Sequence, residues 1–109
     1  MKPEFTARGG AIIGSALITW PSVKLLVDSN EIILMPSFKI LFSSTDDYVF
    51  PRIKVTSIEK FALFPYIAWG VRINHFVPLI PQKIIFLCLR KPEKLMREIH
   101  EAGFLVAIN

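Results

Sequence analysis

Arg72, Asn74 and His75 stand together in the second half of the chain, and Lys83 follows after a short apolar connection. Guanidinium, carboxamide, imidazole and ammonium groups are the donors that hold phosphate or carboxylate oxygens, so an anion or an acidic peptide is the ligand they would suit. Arg72 and Lys83 are the first candidates for that role, with His75 and Arg52 beside them. Strand alternation puts His75 on one face with Val71 and Ile73, and Arg72 and Asn74 on the other. The group converges only if the strand twists or bulges. An exposed polar face with one satisfied histidine is the simpler expectation.

Other reactive residue types are dispersed. His75, Cys88 and His100 fall on three different segments, without the spacing a metal site requires, so neither a metal nor a cofactor is expected. Asp46-Asp47 with Ser43 and Ser44 has ligands for a hard cation, but a solvated acidic turn explains the same residues. Cys88 lies in an apolar run, where a thiol acts as a small hydrophobe; a nucleophile would need a cationic, exposed setting. His100 falls near the end of a helical segment, where the dipole favours a cation. No residue is expected to be catalytic.

The elements that must position these residues are mostly strands. Ala11 to Trp20 is Ile-rich and ends at Pro21-Ser22, after which Val23 to Val27 reads as its partner across a tight break. Asp28-Ser29-Asn30 has turn chemistry, and Glu31 to Met35 resumes the β-branched character. Phe38, Ile40 and Phe42 alternate with Lys39, Leu41 and Ser43 as a fourth strand. Arg52 to Phe61 makes the fifth, with a phase slip at Thr56-Ser57-Ile58 like that of a bulge. Val71 to His75 and the apolar run Lys83 to Leu89 are the sixth and seventh. Phe76-Val77-Pro78-Leu79-Ile80-Pro81 between them is apolar, yet its prolines demand a loop or an edge. Exposed, it would mark an interface; buried, it would cap the core.

One segment changes period. From Pro92 to Ala102 the apolar positions Leu95, Met96 and Ile99 form a helical stripe between charged residues. Pro92 suits the first helical position, Glu93 complements the positive dipole end, and Glu93–Arg97 and Lys94–Glu98 are spaced as i, i+4 pairs. Gly103 with Phe104 predicts a Schellman ending in which the ring packs on Ile99.

A single domain fits 109 residues that are 52% apolar and 20% charged. It is expected over residues 9–104, with an extension at 1–8 and a tail at 105–109. The mean hydropathy of +0.47 requires a test for membrane spans. Ala11 to Trp20 is too short to cross, and Phe61 to Pro81 is interrupted by Arg72, Asn74, His75 and three prolines. A leader is not expected, since Ile18-Thr19-Trp20-Pro21 offers no small-residue cleavage site. The lone Cys88 agrees with a reducing compartment, and the cytoplasm is the expected location. The 13 basic and 9 acidic residues leave a net charge of +4 that is spread along the chain, which argues against a nucleic-acid partner.

Seven strands closed by a C-terminal helix resemble the pleckstrin-homology-like (PH-like) superfold of small bacterial proteins. The resemblance is carried by Trp20-Pro21-Ser22-Val23-Lys24-Leu25, Phe50-Pro51-Arg52-Ile53, Gly70-Val71-Arg72-Ile73-Asn74-His75, Ile84-Ile85-Phe86, and Pro92-Glu93-Lys94-Leu95 through Gly103-Phe104. It implies a mainly β fold: a seven-stranded antiparallel split barrel or β-roll capped by the helix. It also implies a non-catalytic binding module for a protein or peptide, engaged through an edge or the apolar loops. The alternative is a peripheral membrane-surface or anionic-lipid binder. The Trp20-Pro21-Ser22 connection, where lipid-binding relatives carry several cations, has only Lys24 nearby, and homo-oligomerisation is left open.

Overall fold

The computed structural model describes residues 5–36, 47–64, 67–88 and 92–106. It is mainly β, with one helix near the C-terminus and a curled seven-stranded antiparallel sheet that forms a half-barrel. The strands are β1 Phe5–Ile13, β2 Ala16–Val27, β3 Glu31–Pro36, β4 Tyr48–Pro51, β5 Val55–Phe64, β6 Ile67–His75 and β7 Ile84–Cys88. A 3-10 turn, Arg52–Lys54, precedes β5, and helix α1 spans Pro92–Glu101.

The strand order is β4-β3-β2-β1-β7-β6-β5. Laid flat, six inter-strand gaps would hold the two edges about 29 Å apart. Yet β4 and β5, the two edges, are joined only by the 3-10 turn, which can reach about 10 Å. The sheet has to curl until its edges converge. Ile32, Leu34, Val23, Leu25, Val27, Ala11, Ile13, Ile84, Phe86, Val71, Ile73 and Ile58 line its concave side. Helix α1 closes that side against β5 and β6 with Leu95, Met96 and Ile99, and Ala102 just past its end joins the same core.

Several boundaries differ from the sequence reading. The Ile-rich run from Ala11 is folded in half at Gly14-Ser15, and Trp20-Pro21-Ser22 lies inside β2 rather than between strands. The reason is register: Gly9 faces Val23 while Ala11 faces Ile18, so β2 carries extra residues that bulge out of the ladder. A proline there forfeits no ladder hydrogen bond. Phe5 to Arg8, expected as an extension, pair with Val27 to Lys24, and in the expected tail the Leu105 carbonyl accepts from Ile58 N–H at 2.9 Å. The strand expected at Phe38–Ser43 lies outside the described residues, and β4 at Tyr48–Pro51 was not anticipated. Arg52–Lys54 is a 3-10 turn, not the start of the fifth strand, whereas the expected bulge is present between Val55 and Ser57.

The helix matches its signals. Phe104 N–H bonds Ile99 O at 3.3 Å and Gly103 N–H bonds His100 O at 2.9 Å, the two bonds of a Schellman ending, with Gly103 at φ 111°. Phe104 is buried in the same core as Ile99. Glu93, expected to pair along the helix, meets Lys60 Nζ of β5 at 3.2 Å. Among the described residues no helix is long and apolar enough to cross a membrane.

Candidate functional site: the loop between β6 and β7

His75 ends β6 on the concave side, as alternation requires, and is the one buried polar side chain among the described residues. Its ring meets Phe50 edge-on, with centroids 4.9 Å apart. Both nitrogens are engaged by the loop that follows. Val77 N–H donates to Nδ1 at 3.0 Å, which leaves Nε2–H to donate to Pro81 O at 2.8 Å. The imidazole therefore closes residues 75–81 into a braced loop. Phe76 N–H adds a bond to Lys54 O at 3.0 Å, tying the loop to the 3-10 turn, and at its far end Gly14 N–H bonds Lys83 O at 2.8 Å.

Brace and prolines decide which side chains face water. Val77 and Ile80 are half-buried against the core. Phe76 is 52% exposed, and Leu79, at the tip, is 103% exposed. Leu79 also has φ 68°, the only positive φ among the described non-glycine residues. For a branched side chain the left-handed region costs about 1–2 kcal/mol, a cost that persists only where the surroundings impose it. Pro78 before it presets the first corner of the turn. Across the Lys54 contact, Ile53 is 81% exposed, and Lys54 Nζ sits 5.0 Å from the Phe76 ring centroid, a cation–π contact. The result is a rigid apolar tip with cations at its base.

The four predicted ligand residues are not gathered around one point. His75 is inside and spent on the loop. Arg72 lies on the convex face, opposite Glu59 of β5 and Ile85 of β7, and its Nε is buried without a hydrogen-bond partner. Arg52 is exposed and its guanidinium runs over the end of α1: a Cβ placed on Gly103 would stand 2.8 Å from Nη1. Lys83 is exposed at the loop's end. Cys88 is half-buried against the core, and His100 is exposed. Among the described residues no three His, Cys, Asp or Glu side chains come together as a metal site would need; of the acidic turn, only Asp47 is described, and it is exposed.

Lys54 and Ile53 were absent from the predicted site, because a strand through Arg52 to Phe61 hides a turn that faces the loop. The apolar composition of residues 76–81 was the available signal. No family model matches the chain, and neither a curated protein nor a solved structure does.

Proposed function

We propose that this chain is a non-catalytic interaction module of the PH-like kind that docks onto its partner through the β6–β7 loop. The observation that carries the reading is Leu79, held in water in a disfavoured backbone conformation by a buried histidine brace. Apolar area held in water by a braced tip is taken out of it when something covers the tip. The antiparallel half-barrel closed by a Schellman-ended helix supports the PH-like part of the reading. The non-catalytic part is supported by His75, whose ring nitrogens are both committed to backbone groups. The cytoplasm is the compartment we propose, on the single cysteine.

A protein or peptide with an apolar socket is one partner such a tip would fit. A membrane surface is the second, favoured by Lys54 and Lys83 at the base of the loop. Hydrogen exchange of the chain in extracts of its host, with membranes kept or removed, tests the docking end. Slowed exchange confined to residues 76–82 and 53–54 is expected; protection elsewhere, with this loop unchanged, overturns the reading.

A further inference from the structure

Resting on that reading of the docking end, we infer that the β6–β7 loop is a proton-operated latch: a proton taken up by His75 opens residues 77–81 and releases the partner. The two hydrogen bonds of the ring fix its state. A backbone N–H can only donate and a carbonyl can only accept, so Val77 N–H at 3.0 Å demands a bare Nδ1, and Pro81 O at 2.8 Å demands a proton on Nε2. The closed loop thus holds the neutral ring in one tautomer. An imidazolium carries N–H on both nitrogens, so its Nδ1–H would point at Val77 N–H, donor against donor.

No neighbour offers a protonated ring a reason to stay. Strand β4 turns the Phe50 ring onto it and carries Tyr48, half-buried against the core; β5 sets Val55 opposite; α1 faces the core with Leu95, Met96 and Ile99. The charges of the adjoining 3-10 turn and loop end are cations, Arg52, Lys54 and Lys83. Of the acidic groups on the adjoining elements, Glu59 is opposite Arg72 on the convex face, Asp28 and Glu31 belong to the turn bonded to Arg52 N–H, and Asp47 is exposed ahead of β4. Among the described residues none of them forms an ion pair with His75.

Opening is confined by the bonds that do not involve the imidazole. Phe76 N–H stays tied to Lys54 O and Gly14 N–H to Lys83 O, so the two ends of the loop hold while the stretch between them is freed. The left-handed backbone of Leu79, at φ 68°, relaxes once that stretch can turn, so strain and proton act in the same direction. The open loop binds one proton more than the closed one. Closure is therefore fully present above about pH 6.5, where a solvated imidazole titrates, and weakens as pH falls below it. The tip that docks loses its shape at the same time.

The test is amide exchange of the purified chain from about pH 7.5 to about pH 5, each rate divided by the intrinsic rate at that pH. Protection of Val77 N–H should fall by up to about tenfold per pH unit below about pH 6.5, while Phe76, Gly14 and Ile73 keep theirs. His100→Gln removes the one other imidazole of the chain and should leave that profile unchanged. In His75→Phe, Val77 should be poorly protected across the range and without slope. A flat Val77 profile in the parent, a slope lost in His100→Gln, or a slope kept in His75→Phe overturns the inference; if His75→Phe does not fold, the parent and His100→Gln decide it. In host extract, residues 76–82 should be shielded at about pH 7.5 and not at about pH 5.5, and shielding that persists in acid also overturns the inference. An extract that shields them at neither pH removes the docking reading instead, while the profile of the purified chain still decides the latch.

Discussion

His75 Nε2 lies 2.8 Å from the carbonyl oxygen of Pro81, so the last residue of one strand holds the far side of the loop that departs from it. A hydrogen bond spanning six residues and a second to Val77 make one buried side chain the frame of the exposed tip.

Replacing His75 separates its roles. His75→Phe keeps an aromatic ring against Phe50 but takes the partner from Val77 N–H and Pro81 O, both only part-buried, at a cost of about 1–2 kcal/mol for the two together. His75→Ala adds a cavity, for a total loss of about 3–5 kcal/mol. Urea unfolding of both variants should show that order, and the Val77 amide should exchange faster in each. In the parent chain, nitrogen NMR should place the ring proton on Nε2.

The helix end offers a second test, because two substitutions act through different physics. Gly103→Ala forces a Cβ onto φ 111° and toward Arg52 Nη1, whose side chain is able to swing aside. The expected cost is about 1–2 kcal/mol, almost all from the backbone, and Gly103→Asn should recover part of it. Leu95→Ala leaves a void under the helix and should cost about 2–4 kcal/mol. Thermal melts that leave either variant unchanged would contradict a docked helix.

How far the sequence reads depends on whether local chemistry or chain path decides. The helix was legible at both ends because Pro92, Gly103 and Phe104 each act within a few residues. Six of the strands were legible as apolar runs, but Tyr48–Pro51 was not, nor were the seams: Pro21 looks like a stop, and only the β1–β2 register reveals that it sits in a bulge where its missing N–H is harmless. Alternation placed His75 inward, yet its partners Val77 and Pro81 depend on how a proline-rich loop turns back, and no period survives in that loop. Leu79 is the extreme case, since a leucine in an apolar stretch reads as core until the brace is seen to push it out.

A final prediction concerns the segment after the helix. Phe104 is 2% exposed in the core, and next to it Leu105 O accepts from Ile58 N–H on the edge strand β5, with Val106 bridging Ile58 in parallel. One buried ring thus holds a stretch of edge closed, and without it Ile58 would offer its N–H to any strand that approached. Phe104→Ala should cost about 3–5 kcal/mol through the lost ring and its cavity. It should also raise exchange at the Ile58 amide more than at Ile73, whose strand is interior to the sheet. Leu105→Ala, which removes a side chain that is 67% exposed but no backbone group, should leave both amides as they are. If Ile58 and Ile73 lose protection equally in Phe104→Ala, the segment unfolds only with the whole sheet; if Ile58 loses it first, the C-terminal segment acts as a separate clasp on the edge of β5.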